Sequence, residues 1–365
     1  MDSLPELSFA IIKIAFWGAA AFVIGFLLTP TLTGFLYKHR LWRKSVRTKA
    51  LGGGDTPFFQ KFHGEDEIKT PRFGGLLIWI IPPLLALIGI LIGSLGWEKL
   101  NFVSRSQTWL PLATLIAASA VGLADDILQV IEKPVNMTKG LWDRLTKYAG
   151  GGLSLQHRFI LMGTIGLVGA WWFFAKLGWS TIHVPGMGDF SIGIWYIPFF
   201  LLVMLATYSG GVIDGLDGLS GGVLASSFSA YAAIAFIQGQ VDLAAFSVII
   251  VGALLAFLWF NIPPARFYMG ETGMMGLTAT LTVIAFLTDA VLVLPIIAFL
   301  LVLESASVII QVTSKKLRGG KKVFLAAPIH HHFEAIGWPS YKITMRFWVI
   351  GIVTAVLGVA IQMLG

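Results

Sequence analysis

Long apolar runs separated by short polar stretches organise the chain. A helix that crosses a bilayer needs roughly 20 mostly apolar residues. Candidate spans on that criterion lie near 8–36, 73–96, 108–130, 158–177, 194–213, 219–238, 243–260, 274–287, 290–313 and 343–364. Asp289 and Pro295 interrupt the 274–313 region, which therefore reads as two spans or as one broken span. The first run follows the acidic stretch Met1 to Ser8 and continues to about Tyr37. It lacks a basic leading region and exceeds the roughly 7–15 apolar residues of a signal-peptide core, so it reads as a first transmembrane helix. No segment repeats at a period of about 20–50 residues. The pattern predicts an all-α, polytopic helical bundle of about ten transmembrane helices, with 1–365 as a single membrane domain.

Composition supports this. Apolar residues make up 56% of the chain, charged residues 12%, and mean hydropathy is +0.81. A soluble domain has too little interior for that much apolar surface. The formal net charge is +7. With ten spans, loops near 37–72, 131–157, 261–273 and 314–342 share one side, and with their immediate flanks they carry 22 of the 26 Lys and Arg residues. Lys99, Arg105 and Lys176 lie on the other side, and Lys13 lies inside the first span. Lys and Arg concentrate in cytoplasmic loops, which predicts a cytoplasmic basic face and both termini on the opposite, non-cytoplasmic side. There is no cysteine, which excludes disulfides, thiolate metal sites and thiol nucleophiles. The glycines at 52–54 and 150–152 lack the following Gly-Lys-Ser/Thr of a phosphate-binding P-loop. Aromatic residues do not interleave with the basic loops, so no nucleic-acid partner is expected.

The few acids are more informative than the many apolar residues. Asp125 and Asp126 end the third span, Asp214 and Asp217 sit between the fifth and sixth, and Glu271 follows the seventh. All five fall on the basic face. A single Asp at a helix end is ordinarily a cap. Two adjacent like charges ending an apolar helix need a cation nearby, and ionisable groups at membrane depth are costly and usually functional. Carboxylates without thiols form a hard-oxygen set suited to Mg²⁺, or Mn²⁺, together with phosphate. The run His330-His331-His332 reads poorly as a zinc site, because three consecutive residues cannot all point inward on a regular element. Two imidazoles facing phosphates or a nucleoside, with the third structural, is the more natural reading. Glu304, well inside a span, reads as paired within the bundle.

These motifs resemble a known family. Ser307 to Val312, Ala327-Pro-Ile-His-His-His-Phe-Glu334, Gly337-Trp338 and Arg346-Phe-Trp348 are similar to the phospho-N-acetylmuramoyl-pentapeptide transferases, a branch of the polyprenyl-phosphate N-acetylhexosamine-1-phosphate transferases. Thr70-Pro71 with Gly74-Gly75, the Asp125-Asp126 pair, Asp214 to Leu219 and Asn261 to Gly273 match in order. The resemblance implies ten spans, termini outside and a cytoplasmic site in a bacterial inner membrane, with a homodimer as the family's habit. It implies that undecaprenyl phosphate attacks the β-phosphate of UDP-N-acetylmuramoyl-pentapeptide, giving lipid I and UMP with Mg²⁺ assisting. Asp125 would be the general base for the lipid phosphate or help place it, and Asp126 would support it or contact metal. Glu271 stands at a metal-ligand position. Asp214 would lie by phosphate or ribose and Asp217 by uracil, with Gly215 and Leu216 as the pocket wall and Tyr268 stacking. Asn261, His330, His331, Lys69 and Thr70 would complete substrate binding.

The chain departs from the family pattern in identifiable places. Glu271 replaces an Asp, Met274 a Ser, and Gln129 a Lys. Tyr208 and Gly211 replace Asn residues, Arg72 and Phe73 replace Thr and Met, and Arg158 takes the place of a Lys. The segment 134–156 is longer than usual. These changes leave open a divergent active enzyme in which Arg72 or Arg158 restores lost charge, a relative acting on another UDP-N-acetylhexosamine, and an impaired homologue. A transporter would spread its acids through the membrane depth rather than gather them on one face.

Overall fold

The computed structural model describes residues 4–44, 46, 57–131 and 152–364. Most of the long loop at 134–156 and the glycines at 52–54 lie outside the described residues. The helices, in chain order, are α1 (Leu4–Lys38), α2 (Pro57–Glu67), α3 (Leu76–Ser94), α4 (Trp109–Val130), α5 (Leu155–Trp171), α6 (Tyr196–Ser209), α7 (Leu219–Ile237) and α8 (Val241–Asn261). They continue as α9 (Gly270–Leu287), α10 (Leu294–Ile297), α11 (Phe299–Leu317), α12 (Ile329–Ala335) and α13 (Ser340–Gln362). Among the described residues, nine helices are long and apolar enough to cross a membrane. A tenth span is reached if Val291–Ile297 and Phe299–Leu317, bent by 77° at their junction, count together.

That bend resolves the interrupted region. The chain first completes α9 and turns at Asp289, which takes a positive φ of 47°. It then enters the broken span. Pro295 is not the breaking residue: it sits in the first turn of α10, where a missing N–H costs nothing. The break falls at Ala298, between α10 and α11. The region is thus one full-length helix, α9, followed by a pair of helices bent by 77° at Ala298.

A short antiparallel hairpin, β1 (Thr181–Val184) with β2 (Gly188–Ser191), lies between α5 and α6. The apolar-run pattern does not reveal it, because four-residue strands are too short to register against twenty-residue spans. The backbone N–H of His183 donates to Asp289 at 3.2 Å, tying the hairpin to the turn after α9.

The helix α9 occupies the centre. Every residue from Thr272 to Leu287 is buried. The helix α4 packs along it, and α3, α6 and α7 also touch it. The helix α1 runs along α8, and α13 lies against α7. Outer helices such as α1, α5 and α13 present many large apolar side chains at their exposed surface, as suits helices that face lipid.

A buried helix start is a physical problem. The first four N–H groups of an α-helix have no partner within the helix. The aligned peptide dipoles also place about half a positive charge there. The candidate site grows from the way this chain answers that problem at the start of α9.

Candidate active site

Gly270 opens α9 with φ +72°, and a side chain there would collide with the Arg72 carbonyl and the Asp126 carboxylate. Only glycine tolerates both constraints. The carboxylate of Asp126, arriving from α4, then closes over the helix start. Its Oδ1 accepts from the Glu271 N–H at 3.0 Å. Its Oδ2 accepts from the Thr272 N–H at 2.8 Å and from Thr272 Oγ1 at 2.7 Å. From the other side, Asp214 Oδ2 accepts from the Gly270 N–H at 3.3 Å, and its Oδ1 accepts from Ser220 Oγ at 2.7 Å. Burial pushes the Asp214 carboxyl up from the usual carboxylate range, against the pull of Ser220 and of the Arg72 charge.

Asp125, one residue before Asp126, faces a different neighbour. Arg158 at the start of α5 places one guanidinium nitrogen 2.9 Å from Asp125 Oδ2. A second guanidinium nitrogen pairs with Glu271 Oε1. Arg158 Nε also donates to the Leu153 carbonyl at 3.1 Å. Gln129, a turn after Asp125, donates to Asp125 Oδ2 at 2.6 Å. Its carbonyl oxygen accepts from Arg43, whose Nη1 meets Glu67 at 3.0 Å. Where the family pattern has a Lys, an amide therefore links Asp125 to an arginine further out.

One guanidinium spanning Asp125 and Glu271 means that the two carboxylates face a common point. A single cation can neutralise both there. Their hard oxygens suit Mg²⁺ or Mn²⁺, so the donor set fits a divalent cation. Asp126 is differently occupied: both of its oxygens are turned to the start of α9.

The loop 214–218 is held from several directions. Asn261 accepts from the Gly218 N–H and donates to the Phe267 carbonyl, both at 2.8 Å, so both ends of its amide are engaged by backbone. Thr344 and Trp348 on α13 donate to the carbonyls of Asp217 and Gly218 at 3.1 and 3.0 Å. Asp217 Oδ2 accepts from the Ala265 N–H at 3.0 Å; burial raises this carboxyl despite that bond. Leu216 is buried. Tyr268 is half-buried, shares a hydrogen bond with Thr70 and is pushed up by burial. Its backbone N–H donates to the Pro71 carbonyl at 2.7 Å, which brings the 70–75 and 261–273 segments together. Lys69, by contrast, stands on the exposed surface beside Glu65 at 3.1 Å.

The three histidines have separate partners. His330 is fully buried and its Nδ1 lies 2.9 Å from Glu304 Oε2, also fully buried. Its Nε2 has no hydrogen-bond partner among the described residues and points at Gly215, where a Cβ would lie only 2.2 Å away. Gly215 is therefore needed for close approach. His331 Nδ1 meets Glu334 at 2.7 Å, and burial lowers the imidazole to about 4. His332 Nδ1 accepts from the Leu325 N–H at 3.2 Å. Sequence reasoning did not find Thr272, Ser220, Thr344 or Arg43 as part of these networks. Hydroxyls and loop cations carry no signal of their partner until the helices pack.

A family model described as glycosyl transferase family 4 matches residues 108–289. A phospho-N-acetylmuramoyl-pentapeptide-transferase of Lactiplantibacillus plantarum is 34% identical over 356 residues, covering 94% of this chain and 98% of the relative. The protein of that name from Geobacillus thermodenitrificans is 35% identical over 349 residues, covering 94% and 96%. One from Listeria innocua is 31% identical over 350 residues, with the same coverage. Identity of about a third, end to end, on a bundle whose carboxylates gather at one buried helix start, means that the chain belongs to the phospho-N-acetylmuramoyl-pentapeptide transferase family.

Proposed function

We propose that this membrane phosphotransferase moves phospho-N-acetylmuramoyl-pentapeptide from its UDP-linked donor to undecaprenyl phosphate, releasing UMP and lipid I. The observation that carries the reading is the meeting of Asp125, Glu271 and Asp214 around the start of α9, next to Arg158. Phosphoryl transfer between two anions needs charge neutralisation and in-line placement more than covalent chemistry. A buried helix start with cationic neighbours favours anionic oxygens.

Asp125 takes the proton from the lipid phosphate. A lipid phosphate oxygen then forms the bond to the β-phosphorus as the bond from that phosphorus to the UMP oxygen breaks. Asp125 and Glu271 are the carboxylates that would hold a divalent cation, Mg²⁺ or Mn²⁺, which when bound neutralises the diphosphate. Arg158 lends its charge to the phosphates once they enter. Asp214 holds the loop beside the phosphates or ribose. Gly215, Leu216, Asp217 and Tyr268 form the nucleoside pocket, while His330, oriented by Glu304, and His331 contact phosphate and sugar. Thr70 supports Tyr268. Asn261 acts through the backbone it braces. The site faces the cytoplasm, a reading supported by the 22 basic residues of the loops on its side.

Purified chain with undecaprenyl phosphate and Mg²⁺ tests this against UDP-N-acetylmuramoyl-pentapeptide and UDP-N-acetylglucosamine in parallel. UMP should appear with the first donor. Turnover of the second alone would assign the chain to the other branch of the superfamily.

Two further results follow from the Arg158 bridge. Arg158→Gln should lower turnover yet tighten Mn²⁺ binding roughly tenfold, equivalent to about 1.4 kcal/mol, because the competing guanidinium is gone. Electron paramagnetic resonance of bound Mn²⁺ reads this directly; an unchanged affinity would mean the guanidinium and the cation do not share the carboxylates. Glu271→Asp should keep or raise Mg²⁺-dependent UMP release. Complete loss there would show that the surroundings are built for the longer side chain.

A further inference from the structure

Outside the carboxylate site, a second group of ligating side chains converges. His331 and Glu334 are three apart on α12 and so share a face. His63 reaches them from α2, more than 260 residues earlier in the chain. Its Nε2 lies 3.1 and 3.0 Å from the two Glu334 oxygens. His331 Nδ1 lies 2.7 Å from Glu334 Oε2, and the two imidazole centroids are 5.5 Å apart. One donor atom from each residue falls within 4.8 Å of the others. All three side chains are largely shielded, with 20%, 14% and 6% exposure for His63, His331 and Glu334.

We propose that His63, His331 and Glu334 form a second metal site, distinct from the carboxylate pair, that takes Zn²⁺ or a similar divalent transition ion. Zinc sits about 2.0–2.2 Å from imidazole and carboxylate donors, so its ligands stand roughly 3 Å apart around it. The His63–Glu334 and His331–Glu334 separations have that scale. Two imidazoles and one carboxylate are a donor set found in zinc sites. Imidazole donors favour zinc, copper or nickel over the hard ions that suit Asp125 and Glu271. The three-histidine run fails as a zinc site by itself because its members diverge. The fold takes only His331 from it and supplies the other ligands from Glu334 and from α2. Bound metal would clamp α2 to α12.

Cobalt(II) tests the site, using the full-length chain in detergent with any affinity tag removed and prior chelator treatment. One Co²⁺ per chain should bind with the intense visible absorption of four- or five-coordinate cobalt with imidazole ligands, be displaced by Zn²⁺ and persist in excess Mg²⁺. His63→Gln and Glu334→Gln should each weaken binding by roughly 100-fold, since loss of even an outer partner costs about 10–100-fold. Glu271→Gln should leave the spectrum unaltered. A weak six-coordinate spectrum in the unmutated protein overturns the proposal without recourse to any variant. So does a four- or five-coordinate spectrum that survives in folded His63→Gln protein.

Discussion

Asp125→Asn should cut UMP release by roughly 100- to 10,000-fold, the range that general-base catalysis contributes, while the protein stays folded. The amide keeps the size of the carboxylate and can still accept from Gln129 or from the Leu153 N–H. Arg158 retains its partner in Glu271, so no buried cation is stranded. Retention matters, because an uncompensated buried charge would destabilise by about 3–5 kcal/mol and confuse lost chemistry with lost fold. Size-exclusion elution and thermal unfolding in detergent establish the fold; the UMP assay reads the chemistry. Near-normal turnover would remove Asp125 from the reaction.

Asp126→Ala should do the opposite: its first effect is on stability. The carboxylate receives three hydrogen bonds from Glu271 and Thr272 at the start of the central helix. Hydrogen bonds to charged groups contribute about 1.5–3 kcal/mol each, and they are not additive. A loss of roughly 3 kcal/mol overall is expected, because buried N–H groups are left without an acceptor and the helix dipole without its counter-charge. Asp126→Asn should fall between, since one amide oxygen still accepts while the NH₂ group faces donors. Thermal unfolding of the three proteins in one detergent gives the order. Unchanged stability of Asp126→Ala with abolished turnover would make Asp126 a participant in the chemistry instead of the cap of α9. Two adjacent residues of one type thus have separable tasks, set by which side of α4 each faces.

Much of the fold was legible in the chain itself. Apolar runs of the right length marked the spans, and Asp289 with Pro295 marked the interrupted region. What they could not convey was that the break falls at Ala298, since that depends on how α10 and α11 pack. The hairpin at 181–191 was illegible because its strands are so short. In the site, Asp125, Asp126, Asp214, Asp217 and Glu271 stood out as rare charges at one membrane face. Their partners did not. Arg158 looked like a replacement for a family Lys, yet its bridge between Asp125 and Glu271 needs α5 and α9 side by side. Glu304 read as an internally paired acid, and His330 proved to be its partner. Lys69 carried a motif position but lies on the surface with Glu65.

The division has one physical cause. Exclusion of polar groups from a bilayer acts on each segment separately, so hydropathy and charge along the chain determine the spans and single out the acids that are expensive to keep there. Which acid shares a cation, which caps a buried helix start and which histidine meets a carboxylate are matters of a few tenths of an ångström between segments distant in the chain. Sequence by itself determined that carboxylates gather near one face of a helical membrane bundle. Only the packing of α4, α5 and α9 decided that Asp125 and Glu271 share the guanidinium of Arg158 while Asp126 accepts from the start of α9, and only α2 against α12 brought His63 to His331 and Glu334.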